Sequence, residues 1–368
     1  MIHVVAPSEM DEDNNIRALL VDTAQRILQD HCTQTTVEAA KKDGWSSALW
    51  QVLEQTQLPL VSVAEERGGA GGTVSDMAAV LRIAGRFSAP VPIAETGLLA
   101  GWLLAASGKD VPAGPLAAAP QRADAPLTLN RQAGAWTLTG ELRRVPWARV
   151  AARLVVLARH EGADWVVNAD PKRCRITPGC NLAWEPRDDV RFDHVSIGAG
   201  DIAPAGPGVN FANLYARGAL ARSVLMVGAL DRALALAVSH ARTRVQFGRP
   251  IARFQAVQQE LARFADEVAA AAAAALSAAG NVERGDAAIA VACAKTRVGE
   301  AATTGAGIAH QIHAAIGVTE EYALHHSTLR LQAWRSEYGS ESEWSEHLGA
   351  RILESGADRL WPIITESS

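Results

Sequence analysis

The stretch ARTRVQFGRPIARFQAVQ, residues 241–258, decides how the chain is read. Proline is excluded from a helix interior because it lacks an N–H and its ring collides with the preceding turn, but it suits a first helical turn. The Phe247-Gly248-Arg249-Pro250 break therefore predicts one helix ending here and a second starting at once. Arg244 at such a joint offers a planar fork of donors to a phosphate. Phe247 offers a flat apolar face, and Gln255 and Gln258 lie a turn apart on the following helix. Read from these residues alone, the stretch is more readily a helix hairpin carrying a solvated arginine than an anion site.

Outward from it towards the C-terminus the pattern is helical. Leu214 to Ala241 has no internal proline, Phe254 to Gly280 carries an alanine run at 269–275, and Asp286 to Ile316 reads as a third long helix. Long helices joined by short breaks make an antiparallel bundle. In HQIHAAIGVTEEYALHH, residues 310–326, Gly317 is read as a helix stop and Thr319 as the cap of the next helix. His310, His313, His325 and His326 lack the carboxylate-His spacing of a known site, so no metal is expected.

Towards the N-terminus the chain changes character twice. Ile16, Leu19, Leu20, Thr23 and Ile27, and then Trp45, Leu49, Val52 and Leu53, recur with helical period. Gly68, Gly69, Gly71 and Gly72 form a turn before a helix that Ser75 or Asp76 can cap. After Gly108 the Pro/Ala-rich KDVPAGPLAAAPQRADAP marks a boundary. Leu127 and Leu129, Trp136 and Leu138, LVVLA at 154–158 and WVVNA at 165–169 then read as short strands. The expected units are a helical region at 1–112, a β domain at 113–208 and a helical bundle at 209–368.

A chain of 368 residues, 48% apolar, is long enough for more than one core. Its net charge of -5 and pI near 6.1 exclude the basic footprint of a nucleic-acid binder. No signal-like leader or apolar run of spanning length is read in it, so a cytoplasmic protein without membrane insertion is expected. Cys32, Cys174, Cys180 and Cys293 form no C-x-x-C pair and are read as buried free thiols.

The motif R-x-Q-F-G-x-P-I-x-x-F-Q-x-V-Q resembles the opening of the C-terminal domain of flavin-dependent acyl-CoA dehydrogenases. EERGGAGG with GRFSAPVPIAET, and WTLTGELRRVPWARVAARLVVLA, are similar to that family's N-terminal and middle β domains. The resemblance implies FAD, an acyl-CoA substrate, an electron-transfer flavoprotein as electron acceptor, and a homodimer or homotetramer, or a heteromer with a sister chain. It implies that Arg244, Gln246, Phe247 and Gln255 bind the FAD pyrophosphate side across a subunit interface. Gln311 and Gly317 would serve the adenine side, although Ala314 and Ala315 replace the usual glycines. The resemblance also implies cofactor contacts from Trp147, which matches the tryptophan beside the flavin, and from Ser340, which with Gly339 matches the residues following the usual base. The family's T-E-P-x-A-G-S-D strand has no counterpart, PLAAAPQ at 115–121 taking its approximate place.

The family's chemistry needs a glutamate with raised pKa in a dry pocket to take the α-proton while the β-hydrogen leaves as hydride to the flavin. Counting along the chain puts the commoner base position on Tyr338, with Glu337 one residue early, and the other near Gly218. Two readings follow. One is an FAD-dependent acyl-CoA dehydrogenase using Glu337 or a nearby carboxylate such as Glu341. The other is a non-catalytic or half-site subunit that supplies FAD-binding surface to a partner chain.

Overall fold

The computed structural model describes residues 7–132, 134–285, 287–359 and 361–362. Helices α1 (Pro7–His31), α2 (Gln34–Asp43), α3 (Ser47–Gln55) and α4 (Val74–Arg86) open the chain. A π-wound turn, Glu95–Gly101, then runs into α5 (Trp102–Ala106). The cap of α4 is Thr73, rather than Ser75 or Asp76. Thr73 accepts from the Asp76 N–H, and the Asp76 carboxylate accepts from the Thr73 N–H, so the acid is the reciprocal partner of the cap. The glycine turn before it is steric. A Cβ on Gly69 would lie 2.1 Å from the Val63 carbonyl oxygen, and Gly68 and Gly71 have φ of 90° and 73°.

The middle of the chain is one sheet. Its strands are β1 (Leu116–Ala118), β2 (Leu127–Gln132), β3 (Ala135–Pro146), β4 (Arg153–His160), β5 (Ala163–Ala169), β6 (Arg175–Thr177), β7 (Arg187–Ile197) and β8 (Ile202–Pro204). They run in the order β6-β7-β3-β2-β4-β5-β8, with β1 beside β4. Side chains alternate across a pleated strand, so β4 serves two cores. Val155 and Leu157 join the helices, while Leu154, Val156 and Ala158 join a separate core inside the sheet's other face.

The C-terminal helices are α6 (Phe211–Thr243), α7 (Gln255–Arg284), α8 (Ala288–His313), α9 (Leu324–Arg335) and α10 (Glu341–Ser355). The expected start of α8 at Asp286 falls outside the described residues. Helix α6 is long and apolar enough to cross a bilayer by length and composition, which the sequence reading did not foresee. Half of that apolar window is buried, and α6 packs against α4, α7, α8 and α9. Gly85 of α4 and Gly228 of α6 let two backbones meet. A Cβ on Gly228 would lie 1.9 Å from the Arg82 carbonyl oxygen, and one on Gly85 2.1 Å from that of Leu225. Beside them Arg82 grips Asp231 through two hydrogen bonds of 2.7 and 3.0 Å.

Three further expectations change. The break after α6 is a miniature hairpin of β9 (Val245–Gln246) and β10 (Arg249–Pro250), with Phe247 (φ 52°) and Gly248 (φ 79°) as its turn. Pro250 is extended there, and α7 starts only at Gln255. Helix α8 ends at His313, and Thr319 hydrogen-bonds back to Ile316 O instead of capping α9. Of the cysteines only Cys32 is buried, because Cys180 and Cys293 fall on exposed positions and Cys174 on a half-buried one.

Candidate functional site

The residues singled out in the sequence gather in two separate places. The first is the end of the bundle where α6 and α8 finish. His240 stacks on His313 with ring centroids 4.7 Å apart, and His313 Nε2 lies 3.1 Å from the Tyr322 hydroxyl. This contact sets the β9–β10 hairpin beside the α8 end that carries Gln311. Arg244 donates its backbone N–H to His240 O, but its guanidinium makes no hydrogen bond or ion pair among the described residues. Phe247 is 91% exposed, and Gln246, Gln255 and Gln311 are exposed too. Val245, Ile316 and Val318 add exposed apolar surface. Gln258 instead donates to Ala252 O. Gly317 is buried by packing, since a Cβ there would lie 2.8 Å from His313 Cβ. The region thus exposes a cation and amides without hydrogen-bond partners among the described residues, together with a flat ring.

The second place is the crevice between the sheet and α6, which Trp147 lines and where Glu337 binds two arginines of the lining; Ser340 is not among its lining residues. Trp147, held at φ 61° with its N–H on Pro186 O, lines a void together with Glu95, Glu185, Arg187, Arg222, Leu225 and Trp334. The void holds only about 20 Å³. Pockets for organic ligands begin at roughly 300 Å³. Side chains fill the rest of the space. Arg187 donates to both Glu337 oxygens at 2.7 and 2.9 Å, and Arg222 to Glu337 Oε2 at 2.6 Å and to Glu95 at 2.5 Å. Glu185 accepts from Arg187 at 3.0 Å, Arg330 at 3.1 Å, the Trp334 indole at 2.8 Å and Asn181 at 2.9 Å. Three carboxylates thus meet three guanidiniums with no net charge, the condition under which buried ions are tolerated.

Glu337 is therefore not a base with raised pKa. Burial pushes its carboxyl up, but the neighbouring Arg187 and Arg222 outweigh that and bring it down to about 2. A carboxylate held this tightly is a poor proton acceptor at neutral pH. The two base positions expected from the sequence do meet in space, and neither offers an acid. A Cβ on Gly218 would lie 2.1 Å from the Tyr338 ring, so the phenol lies against the glycine. Tyr338 has φ 54° and is 3% exposed, with its hydroxyl buried and unpaired and its pKa raised by burial.

The neighbouring positions are also committed within the chain. Ser340 caps α10 by accepting from the Glu343 N–H, and Glu341 and Glu343 occupy the first turn. Carboxylates there already satisfy the helix's positive end and would repel a phosphate. Gln121, in the place of the missing family motif, donates to Leu157 O at 2.7 Å and accepts from Leu157 N at 2.8 Å, pairing with β4 like a strand. Beyond it lies a cavity of about 550 Å³ lined by Arg122, Tyr215, Trp344 and His347. The void beside Trp147 holds about 20 Å³ and is walled by Glu95, Glu185, Arg187 and Arg222, so the crevice as it stands does not fit the ring of FAD. The Arg244 end has donors that fit its phosphates.

The sequence reading missed Glu95, Glu185, Arg187, Arg222 and Arg330. The available signal was an ion inside an apolar run, Glu95 in PIAETGLLAG and Arg222 in LARSVLMVG, because a buried charge requires a partner.

Residues 15–111 match the family model of the acyl-CoA dehydrogenase N-terminal domain, and residues 213–352 that of the C-terminal domain. Acyl-CoA dehydrogenase IpdE2 of Mycobacterium tuberculosis is 29% identical over 312 residues, 84% of this chain and 88% of that protein. The ChsE4–ChsE5 complex from Mycobacterium tuberculosis has a chain of the same fold, with a TM-score of 0.84 at 24% identity over 97% of this chain and 100% of that one. PigA with FAD and proline gives a TM-score of 0.81 at 17% identity over 97% and 100%. With one family's domains matched on both sides of the sheet, and its fold and a relative spanning most of the chain, the protein belongs to the acyl-CoA dehydrogenase family as a divergent member.

Proposed function

We propose that this chain is the non-catalytic, half-site subunit of a heteromeric acyl-CoA dehydrogenase. It lends the surface of Arg244, Gln246, Phe247, Gln255 and Gln311 to FAD held by a sister chain. That partner carries out the α,β-dehydrogenation of an acyl-CoA and passes electrons to an electron-transfer flavoprotein. The observation that carries this reading is Tyr338 lying on Gly218, with Glu337 behind it locked between Arg187 and Arg222. Both positions for a base are closed, and the flavin side of the crevice is filled by a neutral ion cluster. The opposite end of the chain has an arginine unpaired among the described residues and, beside it, a ring that is 91% exposed and touches only the edge of Phe254 among the described rings. ChsE4–ChsE5, whose fold this chain shares, is itself a two-component complex.

The test is a visible spectrum. The chain purified alone should be colourless and inert towards acyl-CoA esters, and a complex with an acyl-CoA dehydrogenase co-expressed from the same genome should be yellow and bleach with substrate. A yellow homo-oligomer that acyl-CoA bleaches without any partner would restore the self-sufficient dehydrogenase, with Glu337 or Glu341 as its base.

A further inference from the structure

Where α2 meets α9, far along the sequence from one another, Glu38, His325 and His326 point a carboxylate oxygen and two imidazole nitrogens at one spot. The three atoms lie within 4.8 Å of one another. Glu38 Oε1 is 3.4 Å from His325 Nε2 and 3.0 Å from His326 Nε2. The pair at 3.0 Å makes no hydrogen bond, and both atoms are buried without a partner. His325 Nδ1 lies 2.8 Å from Tyr322 O. Its proton therefore goes to that carbonyl, and the lone pair on Nε2 faces the cluster. This is how a protein orients a ligating histidine. Both histidines are buried, at 8% and 6% exposure.

We propose that Glu38, His325 and His326 bind a divalent cation of the Zn2+ class, clamping the N-terminal helices to the C-terminal bundle. Two imidazoles and one carboxylate are the donor set of three-ligand zinc sites, with water in the fourth position. A cavity of about 390 Å³, lined by His326, Gln25, Gln29 and Cys32, adjoins the cluster and can supply that water. Two cationic groups stand near. The Arg330 guanidinium is taken up by Glu185 and His326 O. The Lys41 ammonium lies 2.8 Å from Glu38 Oε2 and 3.3 Å from His325 Nε2, on the spot a metal's charge would occupy. Its side chain is 23% exposed and can swing the charge into solvent. Lysine and metal therefore compete for one carboxylate, so removing the lysine must strengthen binding.

That competition gives a test in which weakening and strengthening are both required. The full chain, freed of any affinity tag and stripped with chelator, is titrated with Zn2+ by calorimetry and with Co2+ by visible absorption. One equivalent should bind, with Co2+ showing the d–d bands of a low-coordinate N/O site. Glu38→Gln and His326→Gln should each weaken binding about tenfold or more, in line with the sensitivity of metal sites to their ligands. Lys41→Met, which keeps the length of this half-buried side chain and removes its charge, should tighten it. Failure to bind Zn2+ at all would overturn the assignment. So would equal affinity in the three variants and the parent, which marks adventitious histidines elsewhere, or weaker binding in Lys41→Met.

Discussion

Glu337 shows how one residue changes meaning when its neighbours are known. In the sequence it is a carboxylate one position from the expected base. In the fold it joins two guanidiniums that would otherwise be buried charges. Glu337→Gln leaves Arg187 and Arg222 partly uncompensated, and breaking a buried pair costs about 3–5 kcal/mol. Urea unfolding at pH 7 should show a loss of that size, whereas a solvated carboxylate would give almost none. The pH dependence has a defined sign. The folded carboxyl is lowered to about 2 from its ordinary 4.5, so its contribution is complete above the unfolded value and fades as pH falls through 2. Between these pH values the parent should lose stability more steeply than Glu337→Gln. The sequence held Glu337 but not its partners, because Arg187 and Arg222 reach it from 150 and 115 residues away.

At the scale of elements, the legible parts were those written by local rules. The 3.6-residue stripes of the N-terminal helices, the alternation in β2 to β5 and the proline-free runs of α6 to α8 all appear as elements, although Ile16 and Leu19, read as part of a core face, lie exposed on α1. Strand β7 was not legible, because RDDVRFDHVSI begins with three charged residues and its pairing with β3 is broken by register shifts. The 245–250 hairpin was not legible either, since a proline suits an extended edge as well as a helix start. The α4–α6 crossing lies between these cases. Its glycines are plain in the sequence, but their purpose needs the partner helix. Gly228→Ala makes the crossing testable because two effects oppose. Alanine gains about 1 kcal/mol of helix propensity, while a Cβ 1.9 Å from the Arg82 carbonyl oxygen forces the helices apart at a cost of about 1–3 kcal/mol or more. The clash should win, lowering the melting temperature by several degrees. A more stable variant would mean that the helices do not approach this closely.

At the scale of the whole molecule, one end of the fold is closed and the other is open. The closed crevice and the free Arg244 have a common explanation if the cofactor's ring belongs to one chain and its phosphates to another. Arg244 then acts only in the assembled complex. A charge-assisted hydrogen bond to a phosphate contributes about 1.5–3 kcal/mol, roughly tenfold to more than a hundredfold in affinity. Arg244→Ala should therefore assemble with the partner normally, because the guanidinium makes no hydrogen bond or ion pair among the described residues of its own subunit, and yet purify with depleted flavin, read as the ratio of visible to protein absorbance. Arg244→Lys should recover part of the flavin, since an ammonium supplies the charge but cannot make both hydrogen bonds of the planar fork. The matching arginine of the partner chain should not matter to the same degree, because the site it would serve is the one Tyr338 and the ion cluster have filled. If Arg244→Ala retained its full complement of flavin in the complex, the open end of the bundle would have no role in holding the cofactor.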